Sequence, residues 1–372
     1  MTSPSGHNLS ITDLAHSLPD HHHLDYALWD PTDENSDRSR AFVRALRRAM
    51  VGIGHFYLQN TPLDSGDTRK VNQRAKVFSL CERLFDLPLH DRLSIDINES
   101  RHFRGYCKFG VEETLSLQDH RDMVDYGPEM SPLPFSERMF KAHPYLNFFG
   151  PNQFLDEDVL PGHQAIVMDW YETANEICRQ LTRAMELALG VEKGRLSQYL
   201  DGIQPVMDDF ERIEGSEQGV GVHKDGGWLT LLATSSVGGL EVQGFDGNWI
   251  SVPPVEGSTI VNFGRQIEAL TNGLVQAATH RVVIPATATQ TRYSVVWFGY
   301  PALNLVVKPL DVPGGFSDEI LELWREAVAQ RQGKPIVSDA PPFIAGPDDR
   351  FGWLMWRRRV LSHPEIAERF DL

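Results

Sequence analysis

Short β-rich runs separated by turn residues fill residues 229–298 and restrict the chain to a small set of folds. The breaks between the runs carry turn-forming pairs such as Gly238-Gly239 and Asp246-Gly247. This spacing indicates a β-sandwich or barrel, because a parallel α/β sheet would place a helix between successive strands. The β-rich runs are 229–232, 240–242, 249–252, 259–263, 281–284 and 293–298.

Helical periodicity flanks the β-rich region on both sides. It begins after Ser36, a residue type suited to an N-cap, and it returns over residues 71–88 and 166–190. Residues 95–160 are rich in Gly, Pro and aromatic residues and are expected to be irregular. After Pro309 the pattern is helical again. The chain is therefore expected to be mainly β with helical extensions, as one large domain.

We divide the chain into four parts on this basis. They are a polar lead-in over residues 1–35, a helical region over residues 36–200, a β core over residues 201–310, and a C-terminal helical segment over residues 311–372. Within the last part, residues 341–344 are expected to lie over the entrance to the β core as a lid.

Composition excludes several classes of protein. With 35 Lys and Arg against 51 Asp and Glu, the net charge is −16, so a nucleic-acid partner is not expected. No stretch approaches the ~20 apolar residues of a membrane span, and residues 1–20 lack the pattern of a secretory signal. The three cysteines are too scattered for a disulfide framework, and Cys81 and Cys178 lie on or beside apolar helix stripes where burial is expected. We expect a cytoplasmic protein that binds no membrane.

A set of metal-ligating side chains stands at the start and in the middle of the β-rich region. His223 and Asp225 are two residues apart, so both face one side of an extended segment. His280 opens a later run, and an antiparallel sheet curled into a barrel can return it to the same cavity. Two histidines and one carboxylate on one face of a metal suit non-haem Fe(II), which must also bind a cosubstrate and O₂. Zinc is possible with these donors, but no companion general base is placed for hydrolytic chemistry.

An anion receptor follows twelve residues after His280. Arg292 and Ser294 face the same side of their strand by the same alternation, and a guanidinium with a hydroxyl suits a carboxylate. This predicts a ligand whose carboxylate is held there while another group reaches the metal. A second His-x-Asp occurs at His120 and Asp122, but it is not followed by a β-rich run with His and Arg-x-Ser. We interpret these two residues as surface polar residues.

The chain resembles one known family in the order of its motifs. Within 72 residues it has His-x-Asp, then predicted strands separated by glycines, then His, then Arg-x-Ser. That family is the isopenicillin N synthase-like branch of the Fe(II)- and 2-oxoglutarate-dependent oxygenases. The similar segments are 221–232, 237–242, 248–254, 268–273, 279–282 and 292–294, with weaker echoes at 104–106 and 150–153.

The resemblance implies a double-stranded β-helix, or jelly roll, flanked by N-terminal and C-terminal helices. It implies iron held by His223, Asp225 and His280, and the distal carboxylate of 2-oxoglutarate held by Arg292 and Ser294. The implied activity is that of a dioxygenase that uses Fe(II), 2-oxoglutarate and O₂. Its substrate would be a small molecule, which is hydroxylated, desaturated or oxidatively cyclised in specialised metabolism.

Departures from the family pattern leave an alternative open. Many members carry an Asn-x-Tyr-Pro-Pro element whose tyrosine contacts the cosubstrate, but residues 210–215 contain neither Tyr nor Pro. Either the 2-oxoglutarate pocket is completed differently, or Arg292 and Ser294 bind the substrate's own carboxylate, as in an oxidase that does not use 2-oxoglutarate. Lys224 stands where members often have Thr and is expected to point away from the iron.

Three further residues are expected to contact the substrate. Arg104 and Tyr106 match a family segment near the mouth of the site. Phe298 lies four residues after Ser294 on the same strand face, so it is expected to line the inner pocket. A non-catalytic jelly-roll binding protein would require a broken ligand set, and the set is intact in this sequence.

Overall fold

The fold is described from a computed structural model of the chain. It describes residues 23–64, 72–111, 113–114, 117–200, 207–213, 217–284, 290–306, 308–331, 335–339 and 350–372. The expected lid at residues 341–344 and most of the expected lead-in, residues 1–22, lie outside these ranges.

Strands and helices account for most of the described residues. In chain order the strands are β1 His23–Asp25, β2 His55–Gln59, β3 Gly105–Cys107, β4 Glu113–Thr114, β5 Leu117–Gln118, β6 Arg121–Tyr126, β7 Met207–Ile213, β8 Glu217–His223, β9 Leu229–Thr234, β10 Leu240–Gln243, β11 Trp249–Ser251, β12 Ser258–Phe263, β13 His280–Ile284 and β14 Arg292–Phe298. The α-helices are α1 Asp37–Val51, α2 Gln73–Asp86, α3 Leu89–Arg92, α4 Glu137–Ala142, α5 His163–Leu189, α6 Arg265–Leu270, α7 Asp318–Gln330, α8 Phe351–Ser362 and α9 Pro364–Arg369.

Two sheets form the core of the molecule. The larger has eight strands in the order β1-β2-β12-β9-β14-β7-β6-β3, and the smaller has four in the order β11-β10-β13-β8. Side chains of both sheets share one apolar cluster, in which Leu232 and Val296 of the large sheet meet Leu240 and Val282 of the small one. The core is therefore a β-sandwich with helical extensions, as expected from the β-rich runs.

Alternation along the strands of the large sheet decides which side chains reach the interior. On β14, Val295 and Trp297 join the apolar cluster that includes the helices α1, α2 and α5. Arg292, Ser294 and Val296 face the other way, into the space between the sheets. A strand covered on both faces in this way holds its inward side chains at fixed positions, which is what a binding site requires.

The predicted helices are confirmed with small shifts at their ends. Ser36 caps α1, its hydroxyl accepting a hydrogen bond from the Ser39 amide, and Gly52 ends the helix. The helix α5 ends at Gly190, whose φ of 72° lies in the left-handed region that glycine adopts without strain. Cys81 and Cys178 are buried as expected. No helix among the residues described above is long and apolar enough to cross a membrane.

The prediction that residues 95–160 are irregular is wrong in part. The strands β3 and β6 lie in this segment and extend the large sheet beyond β7. Likewise β2, from the same N-terminal region, pairs with β12. Strands from both sides of residue 200 thus belong to one sheet.

Candidate metal centre

The structure brings His223, Asp225 and His280 together. The Nε2 atoms of His223 and His280 lie 3.6 and 3.7 Å from Oδ1 of Asp225. The ligand atoms of all three lie within 4.8 Å of one another, and no other such group of His, Cys, Asp or Glu occurs among the described residues. Three donors at this separation can converge on one ion.

A β-bulge directs the first histidine to this point. On β13 the residues His280 and Val282 are two apart, but their partners on β8, His223 and Val220, are three apart. The extra residue of β8 changes the parity of the strand, so that Val220 and His223 both face the interior. Simple alternation along β8 would have turned one of them away.

Backbone carbonyls fix the orientation of both imidazoles. Nδ1 of His223 donates to the Gly221 carbonyl oxygen at 2.8 Å, and Nδ1 of His280 donates to that of Ala278 at 3.1 Å. With the proton on Nδ1, each Nε2 keeps its lone pair and is directed at Asp225. This is the tautomer that a histidine needs to bind a metal.

The carboxylate is held by a polar chain that reaches the next strands. The side-chain amide of Asn262 on β12 donates to Oδ2 of Asp225 at 3.3 Å, and its oxygen accepts from Nδ1 of His55 at 3.2 Å. Burial opposes ionisation of Asp225, yet the neighbouring His280 and His223 hold the pKa of its carboxyl well below the ordinary value. Burial and the nearby His223 lower the pKa of His280 to about 4.

The donor set fits ferrous iron on the chemistry of its atoms. An ionised carboxylate and two neutral imidazoles occupy one side of a point in space, while the other side opens into a cavity of about 380 Å³. That leaves room for further ligands on the open side, which the two-histidine, one-carboxylate arrangement of Fe(II) oxygenases requires.

The expected anion receptor lines the same cavity and contains more charges than the sequence suggested. Arg292 is fully buried, and its Nη1 donates to Oγ of Ser294 at 3.1 Å. Ser294 in turn donates to Oε2 of Glu211 on β7 at 2.8 Å, and Oε1 of Glu211 pairs with Arg121 on β6. Burial lowers the pKa of Arg292, while the charge of Glu211 opposes this effect.

Helix α8 forms part of the cavity wall. Its side chains Met355, Arg358 and Arg359 line the cavity, as does Phe298 at the end of β14. Arg358 is exposed and lies close to the backbone after Asp225, since a Cβ at Gly226 would lie only 2.7 Å from Nη1 of Arg358. The sequence predicts a C-terminal helical segment over residues 311–372 but does not indicate that this helix belongs to the site.

The other sequence-predicted residues lie in different places. Phe298 lines the cavity, but Arg104 and Tyr106 do not. Both are fully buried, with Arg104 donating to the Phe148 carbonyl at 3.0 Å and Tyr106 donating to Asp122 at 3.0 Å. Tyr106 lies on β3, next to β6 in the large sheet, and Arg104 directly precedes this strand.

The interpretation of His120 and Asp122 as surface polar residues is wrong for Asp122, whereas His120 is partly exposed. Asp122 is buried and accepts hydrogen bonds from Arg92 and Arg212, while Arg121 between them lines the cavity. Lys224 forms an ion pair with Glu268 of α6 at 2.9 Å.

Comparisons with known proteins give a consistent family. A model of the 2OG-Fe(II) oxygenase superfamily matches residues 194–301, and a model described as the N-terminal part of a non-haem dioxygenase in morphine synthesis matches residues 23–157. A 2-oxoglutarate-dependent dioxygenase of Gibberella zeae is 32% identical over 370 residues, which cover 93% of this chain and 90% of the relative. The 2-oxoglutarate-dependent dioxygenase frbJ of a Dothideomycetidae species is 29% identical over 348 residues, covering 91% and 89%.

A solved structure shows the same fold at lower identity. Full-length T7H of Neurospora crassa, crystallised with alpha-KG, is similar with a TM-score of 0.64 at 19% identity, covering 86% of this chain and 98% of that one. A second crystal structure of the same protein also contains thymine. The jelly-roll core expected from the sequence is confirmed.

Proposed function

Because this chain belongs to the 2OG-Fe(II) oxygenase superfamily, it is an Fe(II)- and 2-oxoglutarate-dependent dioxygenase, and we propose that His223, Asp225 and His280 hold its iron. When bound, ferrous iron supplies the activation of O₂, which is coupled to the conversion of 2-oxoglutarate to succinate and CO₂. The family favours this activity over the alternative of an oxidase that does not use 2-oxoglutarate.

The three ligands differ in what they contribute. Asp225 supplies a negative charge, because its carboxylate accepts hydrogen bonds from Asn262 and Thr230 although it is buried. The two histidines supply neutral Nε2 donors that the carbonyls of Gly221 and Ala278 hold in place. Because groups of the protein itself orient all three side chains, the ligands are preorganised and little side-chain movement is needed on binding.

Arg292 and Ser294 form the proposed anchor for the distal carboxylate of 2-oxoglutarate. Arg292 is a buried cation, and its Nε has no hydrogen-bond partner among the described residues. A buried donor without a partner carries a free-energy cost that an incoming carboxylate removes. Because this anchor and the three ligands line one cavity, a single molecule can reach both.

We propose a small organic molecule as the substrate, hydroxylated, desaturated or cyclised in specialised metabolism. Apolar side chains line much of the cavity, among them Met123, Phe298, Tyr300 and Met355. The exposed guanidinium of Arg358 lies at its mouth, where it would meet a polar end of the substrate. A chamber of about 380 Å³ is in the range of ordinary small-molecule sites.

The approach of the three ligand atoms to within 4.8 Å carries this proposal. Its test is anaerobic titration with Fe(II), followed by measurement of succinate after addition of 2-oxoglutarate and O₂. His223→Ala should lose tight iron binding and succinate formation, because only two protein ligands remain. The matched control is His90→Ala, which removes an exposed histidine outside the cavity and should bind iron like the parent protein. Tight iron binding by His223→Ala would contradict the assignment.

A further inference from the structure

The proposed cosubstrate anchor contains a carboxylate of the protein itself. Glu211 on β7 lies directly opposite Ser294 on β14, and the residue is only 5% exposed. Its Oε2 accepts the hydrogen bond from the Ser294 hydroxyl at 2.8 Å, and its Oε1 pairs with Arg121. All three residues line the cavity together with Arg292. The anchor is thus a cluster of four residues, Arg121, Glu211, Arg292 and Ser294. One of them, Glu211, is negatively charged like the ligand.

The hydroxyl of Ser294 cannot serve two carboxylates at once. A serine hydroxyl has a single proton to donate, and here Glu211 accepts it. Nη1 of Arg292 donates to the same oxygen at 3.1 Å. A carboxylate of 2-oxoglutarate can therefore accept a hydrogen bond from Ser294 only if the hydroxyl stops donating to Glu211.

Charge counting leads to the same conflict. Arg121 and Arg292 contribute two positive charges and Glu211 one negative charge, so these three side chains carry a net charge of +1. The buried carboxylate of Asp119 lies 3.9 Å from Arg121 and offsets part of this surplus. An incoming carboxylate is therefore held mainly by Arg292, and it lies beside the carboxylate of Glu211 in a buried site. Like charges repel more strongly there than in water, because the surroundings screen them less.

From these contacts we infer that Glu211 competes with the distal carboxylate of 2-oxoglutarate for Ser294, and that its charge lowers the affinity for the cosubstrate. The inference rests on the proposed role of Arg292 and Ser294 as the anchor. In the cosubstrate-free protein Glu211 keeps the buried hydroxyl and Arg121 hydrogen-bonded. When 2-oxoglutarate enters, Arg121 retains Glu211 while Ser294 turns to the ligand. The Arg121–Glu211 pair therefore determines how tightly the anchor holds a dicarboxylate.

The test is calorimetric titration of Fe(II)-loaded protein with 2-oxoglutarate in the absence of O₂, which reports binding without turnover. Glu211→Gln keeps an oxygen that can accept from Ser294 but removes the charge, so the cluster reaches +2 and the Kd should fall about tenfold. Arg121→Gln brings the cluster to zero charge, and the Kd should rise about tenfold. The double variant has a net charge of +1 again, and its Kd should return close to that of the parent protein.

A matched control makes the same chemical change elsewhere. Glu326→Gln alters the net charge of the protein equally, at an exposed position of α7, and should leave the Kd unchanged. Loss of a merely structural contact would weaken binding, so a tighter complex with Glu211→Gln separates the two roles. A Kd that is equal or higher in Glu211→Gln, while the parent protein binds 2-oxoglutarate, overturns this inference alone. A parent protein that binds iron but no 2-oxoglutarate overturns the proposed anchor as well.

Discussion

At the scale of single residues, we expect cosubstrate binding to depend most on Arg292. It is buried, its fork points into the cavity, and a neutral replacement would leave the ligand carboxylate without its cation. Arg292→Ala should raise the Kd for 2-oxoglutarate by roughly 30-fold to several thousand-fold, which corresponds to about 2–5 kcal/mol. Anaerobic titration measures this change, with iron binding as the internal check.

Two companion variants define what the Arg292→Ala result means. Arg292→Lys keeps the charge but loses the two-pronged geometry, so its Kd should lie between those of the parent and Arg292→Ala. Arg138→Ala removes an exposed arginine outside the cavity and should change nothing. If Arg292→Ala depends on 2-oxoglutarate in the same way as the parent protein, the anchor lies elsewhere.

Asn262 is the residue through which the carboxylate ligand is positioned. It bridges His55 and Asp225 by hydrogen bonds of 3.2 and 3.3 Å, so its loss leaves the Asp225 side chain held by fewer contacts, among them the hydrogen bond from Thr230. Asn262→Ala should weaken iron binding by about 10–100-fold, a range typical for groups that orient a metal ligand. Competition with a coloured chelator measures the affinity, and Asn35→Ala at an exposed position is the control. Unchanged affinity in Asn262→Ala would show that Asp225 is held without this bridge.

Alternation made part of the site predictable from the sequence. The rule that residues two apart share a face placed His223 with Asp225 and Arg292 with Ser294, and the structure places each pair so. The rule could not find Glu211, because a charged residue on an unrecognised strand looks like an exposed one. Asp122 was misjudged for the same reason, since its burial depends on distant arginines that no local pattern reveals.

At the scale of secondary structure, β6 and β7 are two strands that the sequence pattern did not predict. Their cavity-facing positions carry charges, such as Arg121, Asp209 and Glu211, where a buried strand normally carries apolar residues. The hydrophobic pattern was therefore weak at the strands that line the site. The strands from 229 to 298 kept the usual pattern and were predicted within a residue or two at most ends.

The connection between β8 and β9 is the element most sensitive to added volume. A Cβ at Gly227 would lie 2.4 Å from the carbonyl oxygen of Gly299, which accepts a hydrogen bond from the Trp228 amide at 2.7 Å. Because both contacts are backbone, the chain cannot move aside cheaply, and Gly227→Ala should lower the free energy of unfolding by about 1–3 kcal/mol. Urea denaturation of iron-free protein measures the loss.

The control for Gly227→Ala is Gly238→Ala, in the loop before β10. A Cβ there would meet only Pro254, at an ordinary distance of 3.8 Å, so stability should be nearly unchanged. Equal stability of both variants would show that the backbone between β8 and β9 can shift to accommodate the added Cβ. Since Asp225 precedes Gly227 by two residues, iron affinity should fall along with stability in the first variant only.

At the scale of the whole molecule, buried neutral histidines make stability depend on pH. Nδ1 of His163 accepts from the Leu155 amide at 3.0 Å, and its Nε2 donates to the Tyr126 hydroxyl at 2.6 Å, so the ring has no room for a second proton. Burial lowers the pKa of His163 from 6.5 to about 4. Between these two values the unfolded chain binds the proton and the folded protein does not. The contribution of His163 to stability therefore falls as the pH falls through this window and is constant above it.

Denaturation of iron-free protein at pH 7 and pH 5 measures the effect. His163 should contribute about 2 kcal/mol of lost stability at pH 5. His163→Gln, whatever its own stability, should show a difference between the two pH values that is smaller by this amount. His90→Ala, at an exposed position, should show the full difference. An identical pH dependence in His163→Gln and the parent protein would contradict the assignment.

The order of strands in the large sheet also governs when the molecule can assemble during synthesis. The strands made first, β1 with β2 and β3 with β6, form the two margins of that sheet, whereas its four middle strands all come after residue 206. A nascent chain that has reached residue 200 thus contains the edge strands of the sheet but none of its four central strands. Its helices meanwhile present apolar faces that have no sheet to cover them. Pairing between strands that are far apart in the sequence is slow. We therefore expect the incomplete chain to bind a chaperone at the ribosome.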